Sequence, residues 1–286
     1  DIKITGDEEN VFNASEAINS LIALINKGEA ITEQTIRYVF TLVREGKQYE
    51  IKHMSDDGVC VTVSGKLVKP KTLGQKRYVE AIRKKTIVMG IGPAGTGKTY
   101  LAVALAVAAY KSKNVEKIIL TRPAVEAGEN LGFLPGKIEE KINPYLRPLY
   151  DALYDMLDFE EAAALIDRNI IEVAPLAFMR GRTLNNSFII LDEAQNASNE
   201  QMLMFLTRLG FHSKCVVAGD PTQIDLPNKR TSGLLQAVRK LEQIPEIAVC
   251  QFSTRDVVRH SLVEKIVNAY QKKETVSGGN ENGGTE

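Results

Sequence analysis

Residues 86–110 read TIVMGIGPAGTGKTYLAVALAVAAY: a short apolar run, a glycine-rich turn around one lysine, then a second, longer apolar run. Bounded by glycines, the first run reads as a buried strand, and the second is long enough for a helix. The turn itself, GPAGTGKT at 92–99, satisfies the GxxxxGK[ST] pattern in the strand-turn-helix context that makes such a match specific. Gly92, Gly95 and Gly97 open backbone conformations closed to residues with a Cβ. The loop of Gly92, Pro93, Ala94, Gly95, Thr96 and Gly97 is therefore expected to wrap N–H groups around β- and γ-phosphate oxygens at a helix N-terminus. Lys98 supplies a point charge between those phosphates, and Thr99 Oγ is placed to ligate a bridging Mg²⁺. A glycine turn that matches by chance is the alternative, and the flanking strand and helix argue against it.

Outward from this turn, the runs KIILT, IIEVA, FIILD, KCVVAG and IAVCQF are apolar throughout and alternate with helical stretches. Such strands indicate a parallel sheet covered by helices on both faces. The reading is an α/β domain from 72 to 272. Within it, FIIL ends on Asp192 and Glu193. Asp192 is expected to hold a water of the Mg²⁺ shell and Glu193 to polarise an attacking water, a division that suits a hydrolase more than a kinase. VVAGDPTQ at 216–223 ends at the same sheet edge if the strands are parallel. Gln223 would then reach the γ-phosphate or the lytic water, while Asp220 and Thr222 read as turn and cap residues. Gln195, just past Glu193, is placed to pass a change at the γ-phosphate to the following helix. Gln75, at the start of the helix before the phosphate strand, reads either an adenine edge or only solvent.

N-terminal to this domain, residues 13–27 carry a helical stripe capped by Asn13 or Ser15 and stopped by Gly28, and a second helix runs from a Thr32 cap to Gly46. YEIKHM and GVCVTVSG suggest a small hairpin. Residues 1–66 thus read as a small α+β unit, 67–71 as a linker and 273–286 as a disordered tail. A chain that opens on Asp1 is expected to have its natural start upstream.

Composition excludes little. Lysine plus arginine equals aspartate plus glutamate at 36 each, so any basic binding face must be local. Cys60, Cys215 and Cys250 form no CxxC pair, which points to reduced thiols in a cytoplasmic setting and away from a zinc site. No apolar run approaches the roughly 18 residues of a membrane span, and the start has no signal-peptide pattern.

With GPAGTGKT, DEAQ and GDPTQ in this order, the main domain resembles the RecA-like core of superfamily-one helicases. LTRPAVEAGENLGFLPGKIEEKINPYLRPLYDAL, APLAFMRGRTLNNSFIILDEAQN and VAGDPTQIDLP resemble more closely the phosphate-starvation-inducible PhoH family of P-loop ATPases, over about residues 72–265. The resemblance implies an ATP-binding, Mg²⁺-dependent hydrolase that acts on RNA, and favours Gln75 as an adenine reader. It also implies a KH-like RNA-binding segment ahead of the ATPase, of which residues 1–66 resemble the later portion. That stretch lacks a GxxG clamp, which leaves RNA binding and a packing or assembly role both open.

Helicases of the resembled superfamily use two cores, the second delivering an arginine to the first; this chain has room for one. Such an arginine raises turnover by about 10³ to 10⁵, so it is expected from the C-terminal part of the same chain or from a neighbour in a homo-oligomeric ring. Arg180, Arg182, Arg255 and Arg259 are the candidates, each with a surface or ion-paired alternative. Arg122 either contacts a nucleic-acid phosphate or braces the insert through Glu126 or Glu129. Pro135, Pro144 and Pro148 are expected to break the helices of that insert, which reads as a functional flap. Two functions remain: RNA remodelling or unwinding, and an ATP-switched assembly factor that recruits a partner such as a ribonuclease.

Overall fold

In the computed structural model, six strands form one sheet: β3 (Ile87–Ile91), β4 (Lys117–Arg122), β5 (Ile171–Pro175), β6 (Ser187–Leu191), β7 (Lys214–Gly219) and β8 (Ile247–Gln251). The described residues are 2–26, 28, 31–47, 51, 58–123, 138–226, 232–259, 262–263, 265–267 and 269–270. The readings made on Glu126, Glu129, Pro135, most of YEIKHM and the tail 273–286 lie outside them. Strand order is β5-β4-β6-β7-β3-β8, with every pairing parallel. β7 therefore lies between the strand that feeds the glycine turn and the strand that ends on Asp192. Parallel strands all end at one edge, so the three polar loops meet there.

Alternation along the strands fills two cores. Val88, Ile118, Leu120, Phe188, Ile190 and Val216 face α3 (Leu73–Lys84), α4 (Lys98–Lys111), α5 (Ile138–Met156) and α6 (Phe159–Asp167). Their neighbours Met89, Ile119, Ile189, Leu191, Cys215 and Val217 face α7 (Asn199–Leu206) and α8 (Gly233–Leu241). Continuous apolar strands are what a sheet buried on both faces requires. The architecture is the RecA-like α/β fold with helices on both faces. Burial pushes the Cys215 thiol up to about 12, which leaves it unreactive in the second core. Among the described residues, no helix is long and apolar enough to cross a membrane.

Three local readings differ from the structure. α1 spans Glu8–Asn26, so Asn13 and Ser15 lie inside it and cap nothing; Val11 N–H already bonds Asp7 O, and Glu8 and Glu9 favour the positive end of the helix dipole. Pro144 and Pro148 sit within one helix rather than breaking it, because Leu146, Leu149, Leu153 and Met156 of α5 are buried in the first core and that packing offsets the lost hydrogen bonds. Leu67–Val68, read as linker, form β2, which pairs antiparallel with β1 (Cys60–Val61). This hairpin packs on the main sheet domain, with Val63 N–H on Asp155 O at 2.9 Å and Cys60 Sγ 3.2 Å from Met156 Sδ. α2 (Glu33–Arg44) starts at Thr32 as expected, in a reciprocal cap with Thr35. It packs with α1 around Ala17, Leu24, Val39 and Leu42.

Candidate active site

The glycine turn leaves β3 with Gly92 at φ +146°, where a Cβ would come 2.5 Å from Phe252 O. Gly97 caps α4 in the left-handed region at φ 78° and offers no side-chain cap, so the first-turn N–H groups of that helix face the loop's interior without a side-chain acceptor. Lys98 is 8% exposed. Its Nζ donates to Gly92 O at 2.7 Å, Pro93 O at 2.8 Å and Thr96 Oγ1 at 3.2 Å. Burial lowers its pKa, opposed by Asp220, Asp192 and Glu193. The ammonium is thus held inside the loop by its carbonyls, and the nearby carboxylates favour its charge.

Those carboxylates come from the neighbouring strand ends. Asp192, at the end of β6, accepts from Thr99 Oγ1 at 2.6 Å. Burial raises its pKa against the opposing pull of Arg122 and the Thr99 hydrogen bond. Glu193 follows in the left-handed region at φ 50°, a conformation a glutamate adopts only when its surroundings fix it. Arg122 fixes one side: its NH2 donates to Glu193 Oε1 at 2.7 Å, its Nε lies 3.3 Å from Asp192 Oδ2, and its NH1 donates to Tyr145 O of α5 at 2.6 Å. Arg122 therefore ties the acidic pair to α5; Glu126 and Glu129, the partners anticipated for it, lie outside the described residues. Gln195 Nε2 fixes the other side, donating to Glu193 Oε2 at 2.5 Å.

Gln195 is 1% exposed and spans two loops. Its Nε2 also donates to Gln223 O at 3.0 Å, and its Oε1 accepts from Asp220 N–H at 3.0 Å. Asp220 carries the connection to the phosphate loop. Its Oδ1 accepts from Thr222 N–H and Oγ1 at 2.9 and 2.7 Å, the turn role read from sequence. Its Oδ2 accepts from Ala94 N–H at 3.0 Å and from Gln223 Nε2 at 2.6 Å. The contact with Ala94 had no local signal, since it depends on β7 and β3 being neighbours. Gln223 is turned onto Asp220, one hydrogen bond away from the loop. Gln75 is 4% exposed; its Oε1 accepts from Lys71 N–H at 2.7 Å and its Nε2 donates to Thr96 O at 3.1 Å. It braces the phosphate loop from outside, so it is no solvated surface residue.

The PhoH-like protein family matches residues 67–271. The chain belongs to the PhoH-like family. A PhoH-like protein of Mycobacterium tuberculosis (strain CDC 1551 / Oshkosh) is 55% identical over 279 residues, covering 97% of this chain and 79% of the relative. One from Bacillus subtilis (strain 168) is 50% identical over 272 residues, 95% of this chain and 85% of the relative. Protein PhoH of Escherichia coli (strain K12) is 44% identical over 198 residues, 68% of this chain and 56% of that protein. Two solved structures also align: the Sulfolobus solfataricus SWI2/SNF2 ATPase core in complex with dsDNA, at TM-score 0.37 and 14% identity over 62% of this chain and 43% of that one, and the Pif1 helicase from Candida albicans, at TM-score 0.35 and 12% identity over 70% and 43%.

The PhoH-like chain is a P-loop NTPase. Its donor set suits a hard cation: Thr99 and Asp192 present oxygen ligands alone, in contact with each other. Those two residues would hold Mg²⁺, which supplies charge neutralisation between the β- and γ-phosphates. The candidate arginines are spread more widely. Arg182 makes a bidentate pair with Glu172 at 2.5 and 2.7 Å, and Arg255 NH1 lies 2.6 Å from Glu45 of the N-terminal unit. Arg259 NH2 donates to Ala94 O of its own phosphate loop at 3.3 Å, and Arg180 is exposed. Arg259 alone of the four is thus placed at the site, in the same chain. A residue with no motif to betray it, Asp256, anchors the start of α3: it accepts from Thr72 Oγ1 at 2.7 Å, Gly74 N–H at 3.1 Å and Ser253 N–H at 3.0 Å.

The Asp220 arrangement makes a stability prediction. Burial alone would raise its pKa, but the hydrogen bonds from Thr222, Gln223 and Ala94 hold it below the ordinary 3.8. A depressed carboxyl contributes stability above the unfolded value, and loses it as pH falls through the folded value. Asp220→Ala leaves several donors without an acceptor and is expected to cost about 1–3 kcal/mol in urea unfolding at neutral pH. In acid, below both values, the difference from wild type should shrink.

Proposed function

We propose that this PhoH-like chain is a Mg²⁺-dependent ATP hydrolase of the cytoplasm that couples hydrolysis to remodelling or unwinding of single-stranded RNA. Thr99 and Asp192 hold the ion, Lys98 and the 92–97 loop hold the phosphates, and Glu193 takes a proton from the attacking water. One observation carries the coupling: Gln195 bonds Glu193 Oε2 and Asp220 N–H with one amide group. A change in the ionisation or hydrogen bonding of Glu193 therefore reaches β7, the phosphate loop through Ala94, and α8 through Ser232 Oγ on Gln195 O at 2.7 Å. The active form is proposed as a homo-oligomeric ring. Arg259 serves its own phosphate loop there, and the exposed Arg180 faces a neighbour.

ATP turnover with and without single-stranded RNA, at low and moderate salt, tests this. RNA should raise turnover, and its affinity should fall with salt as phosphate contacts release counterions. Unchanged turnover together with salt-independent RNA binding would overturn the RNA reading and leave the ATP-switched assembly factor, with a ribonuclease or other protein as partner.

A further inference from the structure

A cavity of about 500 Å³ adjoins the outer side of the phosphate loop, with Gln75, Gly95 and Gly97 on one wall. Its volume falls within the roughly 300–1,000 Å³ of small-molecule sites. None of the acidic-edge residues lines it. A separate hollow holds Thr99, Arg122, Asp192 and Glu193, and Tyr100, at the start of α4, borders both. A nucleotide whose phosphates follow the loop thus has its terminal phosphate toward one hollow and its nucleoside toward the other.

The far wall of the nucleoside hollow comes from the N-terminal helices: Leu24 of α1, and Thr32 and Thr35 at the start of α2. That wall is fastened to the core at two points. Leu73 N–H donates to Tyr38 Oη at 2.7 Å, and Arg255 pairs with Glu45 at 2.6 Å. Val258 closes a side, held by its N–H on Gly95 O at 2.8 Å. Among the described residues the lining is one-signed, since Lys66, Lys69 and Lys71 contribute and no carboxylate does. Apolar faces from Leu24, Leu101 and Val258, with lysine and amide donors at the margins, suit a flat heterocycle whose ring nitrogens and ribose oxygens accept hydrogen bonds.

Resting on the nucleotide reading above, we infer that α1 and α2 form the outer wall of a purine-nucleoside pocket, so the N-terminal unit is part of the nucleotide site. The base contacts this wall and the core together. A ligand with phosphates but no nucleoside would leave the wall untouched.

The test compares ATP with inorganic tripolyphosphate by calorimetry and by hydrogen exchange over residues 8–44. In wild type, ATP should slow exchange in this segment and tripolyphosphate should not. Val258→Trp, which fills the cavity, should weaken ATP about tenfold or more while tripolyphosphate stays within about twofold; retained tripolyphosphate binding shows that the variant is folded. The inference is overturned if ATP and tripolyphosphate protect residues 8–44 equally, or if Val258→Trp binds ATP as wild type does. Failure of wild type to bind either ligand would instead overturn the nucleotide reading itself.

Discussion

Lys98→Ala is expected to lower ATP turnover by at least about 100-fold, the scale of removing one preorganised donor from developing charge, with the fold retained. The expectation follows from where the ammonium sits. Its partners are the carbonyls of Gly92 and Pro93 and the hydroxyl of Thr96, all within the loop it would serve. Among the described residues, no distant element depends on it for a hydrogen bond. Burial already disfavours its charge, so alanine relieves a desolvation penalty while leaving carbonyls that retain acceptor capacity toward water. Circular dichroism and urea unfolding should therefore match wild type within about 1 kcal/mol, against a hydrogen-bond contribution of about 0.5–1.5 kcal/mol. Turnover equal to wild type would remove Lys98 from the active site.

Glu193→Gln should stall the reaction after nucleotide binding, lowering single-turnover hydrolysis by about 10²- to 10⁴-fold, the usual contribution of a general base. ATP affinity should stay close to wild type, because the Glu193 side chain bonds neither Thr99 nor Asp192, and its backbone N–H on Asp192 is kept in the variant. The carboxylate accepts from Arg122 on one oxygen and from Gln195 on the other. A glutamine has one oxygen and one NH₂, so it keeps one of those partners and sets donor against donor at the second. Loss of the base is thus accompanied by loss of either the Arg122 or the Gln195 contact. Collapse of ATP affinity in this variant would show that Glu193 organises the pocket rather than the water.

The main sheet was legible because its signal is local. FIIL, KIILT and VVAG are apolar without interruption, and GPAGTGKT carries its own context. Each motif residue could be assigned to a strand end before any pairing was known. What escaped was set by which strand lies next to which. Ala94 meets Asp220 across a separation of 126 residues, and Thr72 meets Asp256 across 184; no periodicity reports such pairs. The contacts of Arg122 with Asp192 and Glu193 likewise follow from β4 lying beside β6, a pairing that no local pattern reports. The prolines of α5 misled for a related reason. A local rule for breaking helices gave way to the apolar face that the same residues bury.

The stretch after β8 grips the phosphate loop from outside: Phe252 N–H bonds Ile91 O, Val258 N–H bonds Gly95 O, and Arg259 reaches Ala94 across 165 residues. During synthesis the loop therefore emerges long before its clasp. At about 5–20 residues per second, the 165 residues between them take roughly 8 to 33 s to make, and the clasp must then clear the ribosome. Until it does, a nascent chain carries the complete glycine turn without the hydrogen bonds that Val258 and Arg259 give it. The proposed nucleotide site is thus completed from the last part of the domain to be synthesised, not from its own motif alone.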